Sequence, residues 1–356
     1  MGTVDGIADD GLRHVHGTAA LTRPRISVLV PCRDAAGTIQ DALASVEAQT
    51  FDDFEVIVVD DGSADATLGI LTAWARRDRR LRVLAREPAG IVAALCTGLA
   101  AANGEIIARM DADDVAHPDR FLRQIELLDA NPGLAACGTG IRYFPRDTLK
   151  DGARQYERWV NGLISGDDIA RDIFVECPIP HPTLMIRRSA LDAVGGYRDP
   201  GWPEDYDLVL RLWAADMPMA KVPEVLLDWR DGPDRLSRTD PRYSAGAFRR
   251  CKAEWLIRTN LRGRDGVVVW GAGPVGKSMA LELAGRGVLI VAFVDLDPRK
   301  IGQTIHGAPV IDPAGIDRFR GAFALASVAG PTPRARIRAA LETAGWRETV
   351  DFCAVA

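Results

Sequence analysis

The sequence predicts an α/β fold in two parts: a mixed, mainly parallel sheet flanked by helices, followed by a smaller α/β domain. Three observations carry this prediction. Short apolar runs that read as strands buried on both faces recur between stretches whose apolar residues fall at helical spacing. Strand and helix alternate four times before Gly133, the pattern of a parallel sheet covered on both sides. A second alternating unit starts at Val267, and 356 residues exceed one ordinary core of roughly 100–200 residues.

The first strand is Ile26 to Val30, ending at Pro31. A helix follows in which Thr38 and Asp41 have capping-box spacing and Ile39, Ala42, Leu43 and Val46 share one face. Phe54 to Val59 is a second buried strand, and Leu68, Leu71 and Ala75 mark the next helix. Leu81 to Ala85 is a third strand, followed by a helix with Ile91, Ala94, Leu95, Gly98 and Leu99 inward and a stop at Asn103-Gly104. Glu105 to Met110 is a fourth strand. Pro118 suits the first turn of the helix after it, whose apolar face is Phe121, Leu122, Ile125 and Leu128. Gly140 to Pro203 is mixed in pattern. Asp205 to Trp213 and Ala247 to Leu261 read as helices, and a domain boundary falls near Arg262 to Asp265. The resulting division is a loose tail over 1–24, a first domain over 25–235, a helical linker over 236–264 and a second domain over 265–356.

The bulk properties exclude several classes. A hydrophobic fraction of 47% with 26% charged residues is that of a globular protein, neither disordered nor fibrous. A net charge of −5 with scattered basic residues gives no attraction to phosphate backbones, so nucleic acid is not expected as a partner. The six cysteines lie far apart without metal-site or disulfide spacing and read as reduced thiols of a cytoplasmic protein. The first 24 residues lack the apolar stretch of a signal peptide, and Gly287 to Val294 is far shorter than the ~20 residues that span a bilayer. Work at a membrane would therefore be peripheral, at its inner face.

Acidic residues gather where two predicted strands end. In an open parallel sheet ligands bind beyond the C-terminal strand ends. Asp60-Asp61-Gly62-Ser63, with Asp65 and Thr67, follows the second strand, and its short side chains can accept hydrogen bonds from base and ribose groups; Ser63 and Asp65 can equally cap the next helix. Asp111-Ala112-Asp113-Asp114 follows the fourth strand. Its three carboxylates repel one another unless a cation or strong donors compensate, and hard oxygen ligands suit Mg2+ or Mn2+ bridging to a diphosphate.

At this point the pattern becomes specific. The runs ISVLVPCRDAAGTIQDALASVEAQTF, FEVIVVDDGSADATL, NGEIIARMDADDVAHPDRFLRQI and GGYRDPGWPEDYDLVLRL, in this order, resemble glycosyltransferase family 2, inverting enzymes of the GT-A fold, over roughly residues 25 to 235. The resemblance implies a nucleotide-sugar donor and a saccharide or lipid-linked acceptor. Pro31, Arg33 and Asp61 would line the uridine site, with Asp65 supporting that loop. Asp111 and Asp113 would form the family's DxD motif, Asp113 on the metal and Asp111 on the ribose, diphosphate or metal. Glu204-Asp205 matches an acidic pair near the acceptor, with Asp205 the expected catalytic base. Trp202 either stacks on a sugar or anchors its loop, and His181 lies near the donor or is structural. Where relatives often carry a histidine after the equivalent of Trp229-Arg230, this chain has Asp231-Gly232-Pro233, a departure on the closing side of the donor site.

In the second domain, the strand Val267 to Trp270 runs into Gly271-Ala272-Gly273-Pro274-Val275-Gly276, then a helix and the strand Leu289 to Val294 ending in Asp295. This is the dinucleotide-binding fingerprint in its strand, turn and helix context, with Gly271, Gly273, Gly276 and Asp295 as candidate contacts to NAD(P) or another nucleotide. Lys277-Ser278 makes the same run fit a P-loop pattern, but fewer than ~100 remaining residues favour a half-Rossmann unit. The run VDLDPRKIGQTIHGAPVI resembles nucleotide-binding-like domains of sugar acyltransferases, nucleotide-sugar dehydratases and redox-sensing repressors. The expected activity is transfer of a sugar from a nucleoside-diphosphate donor, UDP-linked, to an acceptor hydroxyl in polysaccharide or glycolipid biosynthesis. The alternatives are an NAD(P)-dependent oxidoreductase acting through the second domain and an inactive GT-A scaffold.

Overall fold

A computed structural model of the chain describes residues 13–16, 23–233 and 235–356. It divides into two compact units: Met1–Gly166 with Ile179–Asp199 and Arg211–Pro233, and Asp167–Pro178 with Pro200–Leu210 and Asp234–Ala356. The elements in chain order are β1 (Arg13–His16), β2 (Ile26–Cys32), α1 (Ile39–Glu47), β3 (Phe54–Asp60), α2 (Thr67–Ala75), β4 (Leu81–Ala85), α3 (Ile91–Ala101), β5 (Ile106–Arg109), β6 (Val115–Ala116), α4 (Arg120–Ala130), β7 (Ala136–Phe144) and α5 (Asp151–Asn161). They continue with α6 (Gly166–Asp172), β8 (Met185–Arg187), α7 (Arg188–Ala193), α8 (Glu204–Ala214), β9 (Met219–Arg230), α9 (Leu236–Thr239) and α10 (Ala245–Arg258). The last are β10 (Val267–Trp270), α11 (Pro274–Ala284), β11 (Ile290–Val294), β12 (Thr304–Ile305), β13 (Ala308–Ile311), β14 (Phe323–Ala326), α12 (Pro331–Thr343) and β15 (Phe352–Ala354). Among the described residues no helix is long and apolar enough to cross a membrane.

The first unit holds a nine-stranded sheet in the order β1-β4-β3-β2-β5-β8-β7-β9-β6. Strands β4, β3, β2 and β5 run parallel, whereas β8 and β6 are antiparallel to their neighbours. All seven residues of β3 are buried, Glu55 and Asp60 included, as in a strand covered on both faces. One core layer joins Val28, Val58, Leu43, Phe121 and Leu128, each contributing about 1.5–3 kcal/mol by leaving water. On the opposite face α3 lies close enough that a Cβ on Gly98 would touch Leu29, Val59 and Ile57. At the strand starts, buried Glu55 ties β2, β4 and the end of α3 through Ser27, Arg82 and the Asn103 N–H. The chain leaves β2 for β3 on one side and β5 lies on the other, so the ends of β2, β3 and β5 form a topological switch point, where open sheets place their ligands.

The second unit holds a six-stranded sheet in the order β12-β13-β11-β10-β14-β15. All pairings in it are parallel except β12 with β13. Numbered by chain order, the parallel strands stand 3-2-1-4-5, with Val268, Ala292, Val294, Ile337, Leu341 and Trp346 in the core. Helix α10 and the start of α8 group with this sheet, and Tyr206 Oη donates to the Ile173 carbonyl at 2.7 Å.

Three local expectations change. Thr38 precedes α1, but its side chain makes no cap bond; the turn at Ala35–Thr38 runs into the helix, and the Thr38 carbonyl already accepts the Asp41 N–H at 3.0 Å. Pro118 lies before α4, because its carbonyl accepts the Thr50 N–H and His117 N–H bonds to Leu226 in an extended link. Within the stretch read as a tail, Arg13–His16 pairs antiparallel with β4; residues 1–12 and 17–22 of that stretch lie outside the described residues.

Candidate active site

The loops after β2 and β3 are knitted together. Asp34 N–H donates to Ser63 Oγ at 2.9 Å, Ala64 N–H to Asp34 Oδ1 at 2.7 Å, and Ala36 N–H to Asp65 Oδ2 at 3.0 Å. Asp65 also accepts from Thr67, and these hydrogen bonds hold its carboxyl below the usual range. Its place is that of a loop support. Asp61 is 4% exposed and accepts from the N–H groups of Ala89 and Gly90 at 3.0 and 2.7 Å, with Arg86 at 3.4 Å. Gly62 between them has φ +73°, and a Cβ there would lie 2.4 Å from the Pro88 ring, so only glycine fits this close approach. Pro31 pairs with Val59 near the end of β2, and exposed Arg33 lies 3.7 Å from Asp34.

The acidic loop stands next to these ends. Met110 N–H donates to the Leu29 carbonyl at 3.1 Å, carrying the β2–β5 pairing up to Asp111. The carboxylates of Asp111, Asp113 and Asp114 converge so that one oxygen of each lies within 4.8 Å of the others. Asp111 and Asp113 are half-buried and Asp114 is fully buried. Charge of opposite sign backs them: Arg109, 2% exposed, pairs with Asp111 at 2.5 Å, and fully buried Arg120 donates to the Arg109 carbonyl at 2.6 Å. Burial pulls the Arg120 guanidinium down to about 10, which leaves it charged at neutral pH. Asp114 Oδ1 accepts the Arg230 N–H at 2.8 Å, so Asp114 also braces the loop against β9. Strong donors thus compensate part of the repulsion expected of the cluster. An all-carboxylate donor set of this spacing fits a hard divalent ion such as Mg2+ or Mn2+, with Asp111 and Asp113 the two that reach solvent.

His181 is buried, its Nε2 3.2 Å from Tyr197 Oη. Burial, and then Arg109, hold its pKa well below the ordinary value, so it is a neutral ring in a packed position.

In the second unit, Asp205 occupies the first turn of α8 beside Glu204. Glu204 is 1% exposed and accepts from Tyr243 Oη at 2.9 and 2.7 Å. Asp205 Oδ1 accepts the Tyr206 N–H at 2.7 Å, and its pKa is raised by burial first and then by Glu204. Glu176 adds to this effect, and Lys252 faces Glu176 while donating to the carbonyls of Val175 and Val355. Raised to about 8, the Asp205 carboxyl gives up its proton only at mildly alkaline pH. Trp202 Nε1 donates to Asp207 Oδ1 at 3.2 Å, which also accepts from Trp255, so the loop-anchor reading of Trp202 has its contact.

The C-terminal glycines have distinct surroundings. A Cβ on Gly276 would lie 1.9 Å from the Gly271 carbonyl oxygen, whereas around Gly273 nothing stands within 4 Å. Asp295 accepts from Ala272 N–H, Lys300 Nζ and Asp297 N–H, each at 2.9 Å. Burial alone would raise its pKa, but these donors, Lys300 first, hold it lowered. Both of its oxygens are engaged by the chain itself.

Arg109, Arg120 and Tyr243 were not among the residues singled out from the sequence, and Arg230 was named only as the position before Asp231. The first two offered a faint signal, one a cation at the end of an apolar strand and the other at a helix start. Arg230 and Tyr243 act over separations of 116 and 39 residues and offered none.

Residues 27–195 match the family described as Glycosyl transferase family 2. The amylovoran biosynthesis glycosyltransferase AmsE of Erwinia amylovora is 28% identical over 201 residues, covering 56% of this chain and 73% of that protein. Staphylococcus aureus TarS 1-349, solved in complex with UDP-GlcNAc, superposes with a TM-score of 0.54 at 18% identity, covering 67% of this chain and 68% of its own. The mannosyltransferase PcManGT of Pyrobaculum calidifontis, solved with GDP-Man and Mn2+, gives 0.51 at 18% identity over 91% of this chain and 81% of its own. With the carboxylates gathered at the switch point of a GT-A-like sheet, residues 27–195 are similar to a family 2 domain, and these likenesses support a glycosyltransferase.

Proposed function

We propose that the chain transfers a sugar, with inversion, from a nucleoside-diphosphate donor to an acceptor hydroxyl in the building of a polysaccharide or glycolipid. One observation carries this reading: the convergence of Asp111, Asp113 and Asp114 beside the ends of β2 and β3. Asp61, Pro31 and Arg33 line the base and ribose side, and Asp65 holds their loop. A uridine donor has support from the UDP-GlcNAc and UDP complexes of TarS, and a divalent ion from the Mn2+ complex of PcManGT.

Asp113 would hold the metal, and Asp111 would share it or bind the ribose and diphosphate. When bound, Mg2+ or Mn2+ neutralises charge growing on the leaving diphosphate. Asp205 accepts the proton of the acceptor hydroxyl as that oxygen attacks the anomeric carbon, and the bond to the diphosphate breaks on the other face. The catalytic region is read as 25–235. The reaction is placed in the cytoplasm, with peripheral docking on the inner membrane face when the acceptor is lipid-linked.

For the C-terminal unit we propose a Rossmann-like nucleotide-binding fold, supported by the 3-2-1-4-5 strand order and the close packing of Gly276 on Gly271. The engagement of Asp295 by Ala272, Asp297 and Lys300 weighs against its reading the ribose of NAD(P).

The test is turnover of a panel of UDP- and GDP-sugars with Mn2+. Donor consumption should be lost in Asp113→Ala, and undiminished consumption in that variant would overturn the proposal.

A further inference from the structure

Arg230 ends β9 and reaches the acidic loop with two hydrogen bonds. Its backbone N–H donates to Asp114 Oδ1 at 2.8 Å, and its Nε–H donates to the Asp113 carbonyl at 2.7 Å. The guanidinium carbon lies over the Phe144 ring, 4.5 Å from its centre, while Nε–H is directed at the loop. Phe144 is the cross-strand partner of Arg230 in the β7–β9 ladder, so sheet register fixes where this side chain starts. A further contact, to Asp41 at 3.8 Å, involves an exposed carboxylate and contributes little.

The Asp113 carbonyl belongs to the residue proposed to ligate the metal. Fixing that peptide plane fixes the Cα–Cβ direction, and with it where the Asp113 carboxylate can reach. Lysine could not reproduce this, because an ammonium has no Nε–H set part-way along the side chain to aim at the Asp113 carbonyl while the charge lies over Phe144. We infer that Arg230 is a positioning residue for the carboxylate loop, setting the main chain at Asp113 so that its side chain meets that of Asp111. This inference rests on reading the loop as a metal and diphosphate site.

The experiment measures Mn2+ binding in the presence of UDP, without turnover, from the electron paramagnetic resonance signal of free Mn2+. The proteins compared are the full chain and its Asp113→Ala, Arg230→Gln, Arg230→Lys and Asp41→Asn variants. Groups that orient a metal ligand typically change metal affinity by about 10–100-fold. Arg230→Gln and Arg230→Lys should each weaken Mn2+ binding by about tenfold or more, and Asp41→Asn should bind as the parent does. If Arg230→Gln does not fold, Arg230→Lys decides. Mn2+ affinity within about twofold of the parent in every folded Arg230 variant overturns the inference while leaving the metal site standing. A parent that binds Mn2+ no better than Asp113→Ala overturns the site itself, and the inference with it.

Discussion

Replacing Asp205 with asparagine should separate catalysis from stability, moving the two in opposite directions. Asparagine keeps the shape and retains an oxygen for the Tyr206 N–H, so the first turn of α8 is preserved. It cannot take a proton. A positioned base contributes roughly 10²–10⁴ in rate, equivalent to about 2.7–5.5 kcal/mol of barrier, and kcat should fall by that factor. Burial and Glu204 raise the pKa of Asp205 in the folded chain above its unfolded value of about 3.9. The folded state therefore keeps a proton that the unfolded chain has released. That contribution is complete below about pH 4 and is lost as pH rises toward the raised value, at about 1.4 kcal/mol per unit of separation. Asparagine has no charge to bury, so Asp205→Asn should be more stable than the parent by up to ~5 kcal/mol above about pH 8 and equal to it near pH 4. Thermal melts across pH, with donor turnover measured above about pH 8 where the carboxyl has released its proton, give both readings. Turnover within about threefold of the parent, or a variant that melts no higher than the parent at alkaline pH, would refute the reasoning.

Other substitutions probe the framework. Asp61→Ala leaves the N–H groups of Ala89 and Gly90 without their acceptor and should cost ~2–4 kcal/mol in denaturant unfolding, with weaker donor binding; a cost under ~0.5 kcal/mol would contradict this. Gly276→Ala drives a methyl to 1.9 Å from the Gly271 carbonyl and should destabilise the C-terminal unit by ~3 kcal/mol or more, so unchanged melting would show that the glycine turn can yield. His181→Gln should leave the pH dependence of turnover unaltered between about pH 5.5 and 8, because burial already keeps the ring neutral; loss of a pH limb would assign it a proton-transfer role.

What the sequence revealed and what it hid follow from the range of the forces involved. Apolar runs such as Phe54 to Val59 register burial on both faces residue by residue, so β3, β4 and β10 stand where their patterns put them. The acids at strand ends were legible because chain order and sheet geometry together place them at one edge. The mixed stretch after Gly140 was not, because Tyr143, Tyr156, Trp159 and Trp229 form a ring cluster across two strands and a helix that no local period announces. Thr38 and Pro118 show capping preference yielding to other bonds, one to the adjoining turn at Ala35 and the other to distant Thr50. The charge balance of the acidic loop was half legible: the carboxylates are adjacent in sequence, but Arg230 reaches them only through the sheet.

The account turns on a loop in which Asp113 joins a divalent ion to a nucleoside diphosphate, and calorimetric titration of UDP into the protein with and without Mn2+ tests it most directly. Mn2+ should tighten UDP binding at least about tenfold in the parent chain and leave it unchanged in Asp113→Asn. Equal UDP affinity in the two proteins, insensitive to Mn2+, would contradict it.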